Sequence, residues 1–404
     1  MSIRTTGHGR RQSQLLVAFV LVVAACLTLT SCGSSGSGAA QLAETPPMGW
    51  NSWNHFGCSV TEADVKAAAD AIVSVGLLAD GYDYVDVDDC WQAPTRDRDG
   101  RLAADPTRFP HGMAALAAFV HSKGLRFGIY AAPGAETCAE RYQGYPGQLG
   151  SLGHERQDAQ TFASWGVDYL KYDWCGADRD GVGHEAAFAI MRAALDATGR
   201  PIVLSIHDKP EQPVPAWRRW VSQLSRTTPD IQDSWSSVIS IVRSTLTVRD
   251  AASPGHWNDP DMLEIGNGGM TLDEERSHLA LWAQLSAPLL IGCDLTTVSP
   301  QSLSILTGRR VIRVDQDRLG APPAVLASSK HELVLLKPLS DGSSALTITN
   351  VSSRGATITV PVPSPRLGDT VTTQDLWTGV RGRAHGHLTV RLSAHATAIY
   401  RISH

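Results

Sequence analysis

The chain has 404 residues, long enough for one large domain and a small one. Hydrophobic residues make up 43% and charged residues 19%, which excludes a disordered chain and predicts a packed core. A net charge of -5 and a pI near 6.3 leave no basic footprint, so nucleic acid is not an expected partner and a neutral substrate fits better.

The first element is an export segment. Arg4, Arg10 and Arg11 give a positive start, and Leu15 to Leu29 is an almost unbroken apolar run, short for a membrane span. It ends in Leu29-Thr30-Ser31-Cys32, a lipobox-like tetrapeptide in which Cys32 becomes the lipidated first residue; ordinary signal cleavage nearby is the alternative. Residues 1–32 therefore read as a lipoprotein-type signal peptide and 33–43 as a flexible Gly/Ser tether. The expected location is the cell surface or the medium, with the membrane reached only through a lipid anchor at Cys32.

Export makes the remaining cysteines interpretable. Cys58, Cys90, Cys138, Cys175 and Cys293 are an odd set, which in an oxidising compartment predicts two disulfides and one thiol. Cys293 ends an apolar run from Ala287 and is the expected unpaired one.

From 44 to 320, short β-like runs alternate with longer helical patterns, the signature of parallel βα units. Strands are expected at Met48–Trp53, Tyr82–Asp89, Arg126–Ala131, Tyr169–Trp174, Pro201–His207, weakly near Ser225 and His256, and at Ala287–Asp294. Eight is the number that a (β/α)8 TIM barrel needs. Helices are expected after a capping box at Thr61 and Asp64, and over Pro110–Ser122, Arg156–Trp165 and Leu272–Ala283. From 321 to 404, Leu346/Ile348, Ile358/Val360/Val362 and Leu388/Val390/Leu392 alternate with period two, predicting an antiparallel β-sandwich domain.

Reactive groups of such a barrel sit at the C-terminal ends of its strands. In Tyr84-Val85-Asp86-Val87-Asp88-Asp89, period two turns the valines towards the outer helices and Asp86 and Asp88 inward, with Asp89 capping the end. Carboxylates crowded this closely need hydrogen-bond donors, which sugar hydroxyls supply; a solvated acidic loop is the blander reading. In Tyr169-Leu170-Lys171-Tyr172-Asp173, Lys171 and Asp173 share the inner face. The lysine keeps the carboxylate ionised, as a nucleophile requires, although the pair reads equally as a structural ion pair. Glycoside hydrolysis needs a second carboxyl group, about 5–5.5 Å away for retention. Asp230 and Asp233 both qualify, and composition does not choose between them. Eleven tryptophans add aromatic faces of the kind that stack on pyranoses. The inner faces carry no HxH pair, Gly-rich phosphate loop or GxSxG elbow, so no metal or cofactor is expected.

Taken together, these stretches resemble glycoside hydrolase family 27, the α-galactosidases and α-N-acetylgalactosaminidases. The matching motifs are Pro46 to Trp53, Gly81 to Trp91, Gly128-Ile129-Tyr130, Trp165 to Asp173, Asp230 to Trp235 and Trp257 to Met262. The resemblance implies Asp173 as nucleophile and Asp230 as acid/base, with Arg226 its partner near the sugar's 2-hydroxyl. It implies that Asp88 and Asp89 bind the 4- and 6-hydroxyls, that Lys171 reaches the O3/O4 side and that Trp53 stacks on the ring. Tyr130 would support the nucleophile, Trp174 would stand beside it, and Asp261 and Met262 would line the wall. It also implies the pairings Cys58–Cys90 and Cys138–Cys175. Where the family carries a Cys-Glu-Trp-like segment, this chain has Ser205-Ile206-His207-Asp208-Lys209-Pro210, which leaves 2-position specificity open. By strand alternation His207 points into the barrel mouth, to contact a 2-hydroxyl or to pack against a loop. Other activities within the resemblance are α-N-acetylgalactosaminidase, β-L-arabinopyranosidase and isomaltose-releasing dextranase. A non-catalytic carbohydrate-binding lipoprotein would not need both Asp173 and Asp230.

Overall fold

The computed structural model describes residues 42–208, 213–362 and 370–403. The expected signal peptide with Cys32, the tether up to Gln41, and Lys209 and Pro210 lie outside the described residues.

Eight short parallel strands form one sheet: β1 (Met48–Asn51), β2 (Tyr84–Val87), β3 (Arg126–Ala131), β4 (Tyr169–Asp173), β5 (Val203–His207), β6 (Leu224–Arg226), β7 (Trp257–Asp259) and β8 (Leu289–Ile291). Their order is β7-β6-β5-β4-β3-β2-β1-β8. The ring closes just past β7, where Leu263 bridges in parallel to Ile291, with Leu263 N–H donating to the Leu290 carbonyl at 2.7 Å. The weak signals near Ser225 and His256 are thus real strands of three residues each, too short to show a period.

Alternation along the strands sorts the side chains as expected. Val85, Val87, Leu170 and Tyr172 join the large core under the surrounding helices. The opposite faces begin with a small apolar floor of Tyr84, Tyr169, Val203, Leu224 and Leu290. Two residues further along the same strands stand Asp86, Lys171, Ser205 and Arg226, so these inner faces turn from apolar to polar or charged as they near the C-terminal end.

The capping box forms at Glu62–Ser74, where Thr61 Oγ1 accepts Asp64 N–H at 3.3 Å and Asp64 accepts Thr61 N–H at 2.9 Å. Helices also occupy Gly112–Ser122, Glu155–Trp165 and Leu272–Leu285, as expected, and His184–Asp196 and Trp235–Thr247, which were not anticipated.

Beyond the barrel, eight antiparallel strands from Ala324 to Ser403 run in the order Ala356–Pro361, His387–Leu392, Arg381–His385, Thr370–Asp375, Thr397–Ser403, Ser344–Asn350, Glu332–Pro338, Ala324–Ser328. Leu346, Ile348, Ile358, Val360, Val362, Val390 and Leu392 form their core, with Leu388 partly buried against it. Lys337 fastens this domain to the barrel. Its buried ammonium donates to the Ala283 carbonyl at 2.9 Å, Ser286 Oγ at 2.6 Å and the Val314 carbonyl at 2.7 Å, using all three donors on groups at helix ends.

Candidate active site

The C-terminal ends of the strands surround a cavity of about 340 Å³. Its lining includes Asp88 and Asp89 after β2, Tyr130 on β3, Lys171 and Asp173 on β4, Trp174, His207 on β5, Arg226 on β6, Asp230, and Asp261 and Met262 after β7, with Trp53 from the loop after β1. The twelve side chains to which the family resemblance, or for His207 strand alternation, assigns catalysis or sugar binding therefore meet in one place. Asn54, Tyr142, Gln143 and Ile231 line it too, and the sequence did not single them out. The only cue for Tyr142 was a position near Cys138, since an exposed aromatic on a short helix has no periodic signature.

Two disulfides tie neighbouring loops at this mouth. Cys58–Cys90 joins the loops after β1 and β2, and Cys138–Cys175 those after β3 and β4. Cys293 is buried and free.

Asp173, at the end of β4, is buried at 6% exposure. Burial alone raises a carboxyl pKa, yet His207, followed by Lys171 and Arg226, overcomes it and holds Asp173 down to about 2. His207 Nδ1 lies 2.9 Å from Asp173 Oδ1. On the other oxygen, Tyr130 O–H donates at 3.4 Å, and the same phenol oxygen accepts Cys138 N–H at 3.3 Å. The Tyr130 hydroxyl thus stands against the Asp173 carboxylate. Lys171 lowers the Asp173 pKa too, though less than His207 does, and its ammonium pairs directly with Asp88 Oδ2 at 2.8 Å. His207 does enter the barrel mouth, but its Nδ1 faces the Asp173 carboxylate instead of open cavity.

Asp88 and Asp89 are both buried. Asp88 Oδ2 also accepts Asn51 Nδ2 at 2.9 Å, and Asp88 N–H donates to Ser52 Oγ at 3.0 Å. Asp89 accepts the backbone N–H of Cys90 at 2.7 Å and of Ala139 at 2.8 Å, but burial outweighs them and pushes its carboxyl up to about 7. Beneath them, Asp86 is buried with neither oxygen hydrogen-bonded among the described residues, and burial beside Asp88 raises it well above the usual carboxylate range. Gly128 makes room for it, since a Cβ there would stand 1.8 Å from Asp86 Oδ1.

Arg226 is buried and held by a two-pronged pair to Asp261, Nη1 to Oδ2 at 2.8 Å and Nη2 to Oδ1 at 3.0 Å. Its Nη1 also reaches Asp230 Oδ1 at 3.1 Å. The Asp230 side chain is 78% exposed, at the mouth. Asp233 does not line the cavity. Its Oδ2 accepts Gly269 N–H at 2.5 Å, and partial burial raises its pKa.

Asp208 turns away from the cavity. It contacts His184 Nδ1 and accepts Arg218 Nη2 at 2.7 Å. The His184 ring in turn stacks on Trp174, with centroids 3.9 Å apart.

The sequence that builds this barrel matches a known family. The family model described as Alpha galactosidase A matches residues 45–317, and the one described as Alpha galactosidase C-terminal beta sandwich domain matches 333–402. The chain belongs to the α-galactosidases of glycoside hydrolase family 27. It is 44% identical over 362 residues to an α-galactosidase of Cyamopsis tetragonoloba, covering 89% of this chain and 86% of that one. It is 39% identical over 415 residues to α-galactosidase A of Cellvibrio japonicus, covering 97% and 99%. The crystal structure of α-galactosidase I from Mortierella vinacea superposes with a TM-score of 0.83 at 33% identity, over 89% of this chain and 97% of that one. Family membership makes the chain a glycoside hydrolase.

Proposed function

We propose that this enzyme removes terminal α-D-galactosyl residues from galactosides and galacto-oligosaccharides by double displacement, with retention of configuration. The observation that carries the reading is a buried, ionised carboxylate, Asp173, in the same cavity as Asp230, whose side chain opens to solvent. Asp173 attacks the anomeric carbon as Asp230 gives its proton to the departing oxygen. Asp230 then takes a proton from water, whose oxygen displaces Asp173. Asp88 and Asp89 bind the 4- and 6-hydroxyls of galactose, Lys171 the O3/O4 side, and Arg226 the 2-hydroxyl region. Trp53 stacks on the ring, and Asp261 and Met262 form the wall.

The test is turnover of an aryl α-galactoside, with the first-formed anomer read by NMR. Asp173→Ala should lose several orders of magnitude in rate while staying folded. Azide should restore product of the opposite anomeric configuration. Substantial unassisted turnover by the folded variant, or an inverted wild-type product, overturns the reading.

We also propose that the enzyme is exported and lipidated at Cys32. The positive start, the apolar run and the Leu29-to-Cys32 tetrapeptide support this, and two disulfides suit an oxidising compartment. Mass spectrometry of the mature N-terminus, beside Cys32→Ala, decides it, since an unmodified terminus downstream of Cys32 excludes the anchor.

A further inference from the structure

A second cavity, of about 610 Å³, opens where the barrel meets the β domain. Its barrel wall comes from the stretch Ser304 to Arg310, between the helices Pro300–Leu306 and Arg309–Asp315, with Arg276 beside it. Its other wall is the turn Leu376 to Thr378. Arg309 pairs with Asp80, and Tyr82 O–H donates to the Leu306 carbonyl at 2.9 Å. Both partners precede β2, so this cavity stands by the N-terminal ends of the strands, whereas Asp173 and Asp230 stand at the C-terminal mouth.

The turn is held in shape before any ligand arrives. Asp375 Oδ1 accepts the backbone N–H groups of Trp377 and Thr378, both at 2.8 Å. Arg310 clamps it from the barrel side, with Nε donating to the Leu376 carbonyl at 3.0 Å and Nη2 to the Trp377 carbonyl at 2.7 Å. These bonds use one edge of the guanidinium and involve no carboxylate. The end edge, Nη1 with the second Nη2 N–H, has no partner among the described residues. A Cβ at Gly379 would stand 3.1 Å from Arg310 Cζ, and one at Gly308 3.0 Å from the Trp377 ring, so both glycines let turn and helix close on each other.

The lining chemistry narrows what fits. Three guanidiniums and no carboxylate line the cavity among the described residues, and the acidic partners of Arg309 and Arg276, Asp80 and Asp273, lie outside it. An anion is favoured there. A guanidinium edge with two parallel N–H groups matches a planar carboxylate. Ser304 Oγ is uncommitted among the described residues, and Thr378 Oγ1 accepts Val380 N–H at 3.3 Å while keeping its own proton to donate, which suits hydroxyl groups. Leu376 and Trp377 add apolar surface of the kind that packs on the C–H face of a pyranose.

We propose that this cavity binds a hexuronate residue of an acidic polysaccharide, at a site separate from the catalytic one, and so holds the enzyme on an anionic glycan. The proposal stands apart from the galactosidase reading, because the two cavities share no lining residue.

The experiment titrates trigalacturonate into the wild-type enzyme by calorimetry in about 150 mM salt, where exposed charges are largely screened. Maltotriose and inorganic phosphate are the comparison ligands. Ser304 and Thr378 are exposed, so Ser304→Glu and Thr378→Glu should fold while placing a negative charge at the cavity. The wild type should bind trigalacturonate at least about tenfold more tightly than either comparison ligand, and each Glu variant should lose about tenfold or more. Arg310→Lys keeps the charge without the fork and should lose the preference for the uronate over phosphate. Free galactose should not displace trigalacturonate, and kcat/KM for 4-nitrophenyl α-galactoside should stay within about twofold in the Glu variants. Displacement by galactose, binding no tighter than that of maltotriose, or binding unchanged in both Glu variants overturns the site. Phosphate bound as tightly as trigalacturonate overturns the assignment of the ligand as a uronate.

Discussion

Asp173 and His207 are register partners across β4 and β5, and the imidazole Nδ1 stands 2.9 Å from the Asp173 carboxylate. Two adjacent parallel strands therefore deliver a carboxylate and its strongest stabilising neighbour to the same level of the barrel. The carboxyl pKa of about 2 lies below the 3.8 of a free aspartate. The sign follows from this lowering. Asp173 contributes stability above about pH 4 and loses it as pH falls through 2, a contribution of ~2 kcal/mol.

His207→Ala should expose the underlying effect of burial, which raises the Asp173 pKa. The acid limb of the kcat/KM profile should move up by about one pH unit or more, and the variant should lose stability at neutral pH relative to wild type. Profiles from pH 3 to 7, with urea unfolding at pH 5 and 7, check both. An acid limb that stays in place removes His207 from the control of Asp173.

Asp230→Ala should hurt substrates with poor leaving groups far more than activated aryl galactosides, because only the former need a proton. Asp233→Ala should show no such difference, since Asp233 is tied to Gly269 and lies outside the cavity. A larger differential loss in Asp233→Ala, or equal losses on both substrate classes in Asp230→Ala, reverses the assignment.

Much of this site was legible because strand alternation is local. Val85 and Val87 against Asp86 and Asp88, and Leu170 and Tyr172 against Lys171 and Asp173, revealed which side chains enter the barrel before any strand was paired. What depends on register between strands was not legible. The sequence offered Lys171, two residues away, as the partner of Asp173, whereas His207 arrives from another strand. The choice between Asp230 and Asp233 depends on the path of a loop that sends one to the cavity and ties the other to Gly269. The helix Trp235–Thr247 escaped notice because Val, Ile, Ser and Thr dominate it, residues of middling helix propensity whose helical state comes from burying Val238, Ile239, Val242 and Leu246.

Breaking the Cys138–Cys175 bridge should cost activity as well as stability. The bridge spans 37 residues of chain, and its Cys175 sulfur lies 3.2 Å from the Tyr130 hydroxyl that supports Asp173. Cys138→Ser with Cys175→Ser should lower stability by about 2–4 kcal/mol and also lower kcat. Non-reducing peptide mapping should find Cys293 reduced, as a buried thiol pushed up to about 12 is poorly reactive. Unchanged kcat in the folded double variant would show that the bridge only stabilises.

The segment after β5 should decide selectivity at the sugar's 2-position. Where the family resemblance led one to expect a Glu-containing wall, this chain places His207, and the ring of Trp174 stands on the neighbouring segment, whose backbone N–H donates to the His207 carbonyl at 2.7 Å. Neither ring is loosely held. His207 abuts Asp173, and Trp174 is backed by His184, itself engaged by Asp208, whose other oxygen is paired to buried Arg218. In the binding mode proposed above, with the 2-position facing these rings, a 2-acetamido group has to displace one of them, whereas a 2-hydroxyl does not. The enzyme should therefore prefer 4-nitrophenyl α-galactoside over the N-acetylgalactosaminide by about 100-fold in kcat/KM, or ~2.7 kcal/mol. Asp208→Asn weakens the support without entering the cavity, so it should shrink that preference mainly by lowering KM for the N-acetylgalactosaminide, leaving kcat on the galactoside within about threefold. Comparable wild-type rates on the two glycosides would remove the ring pair as the source of selectivity. A preference unchanged by Asp208→Asn would show that the rings hold their places without the His184–Asp208–Arg218 chain.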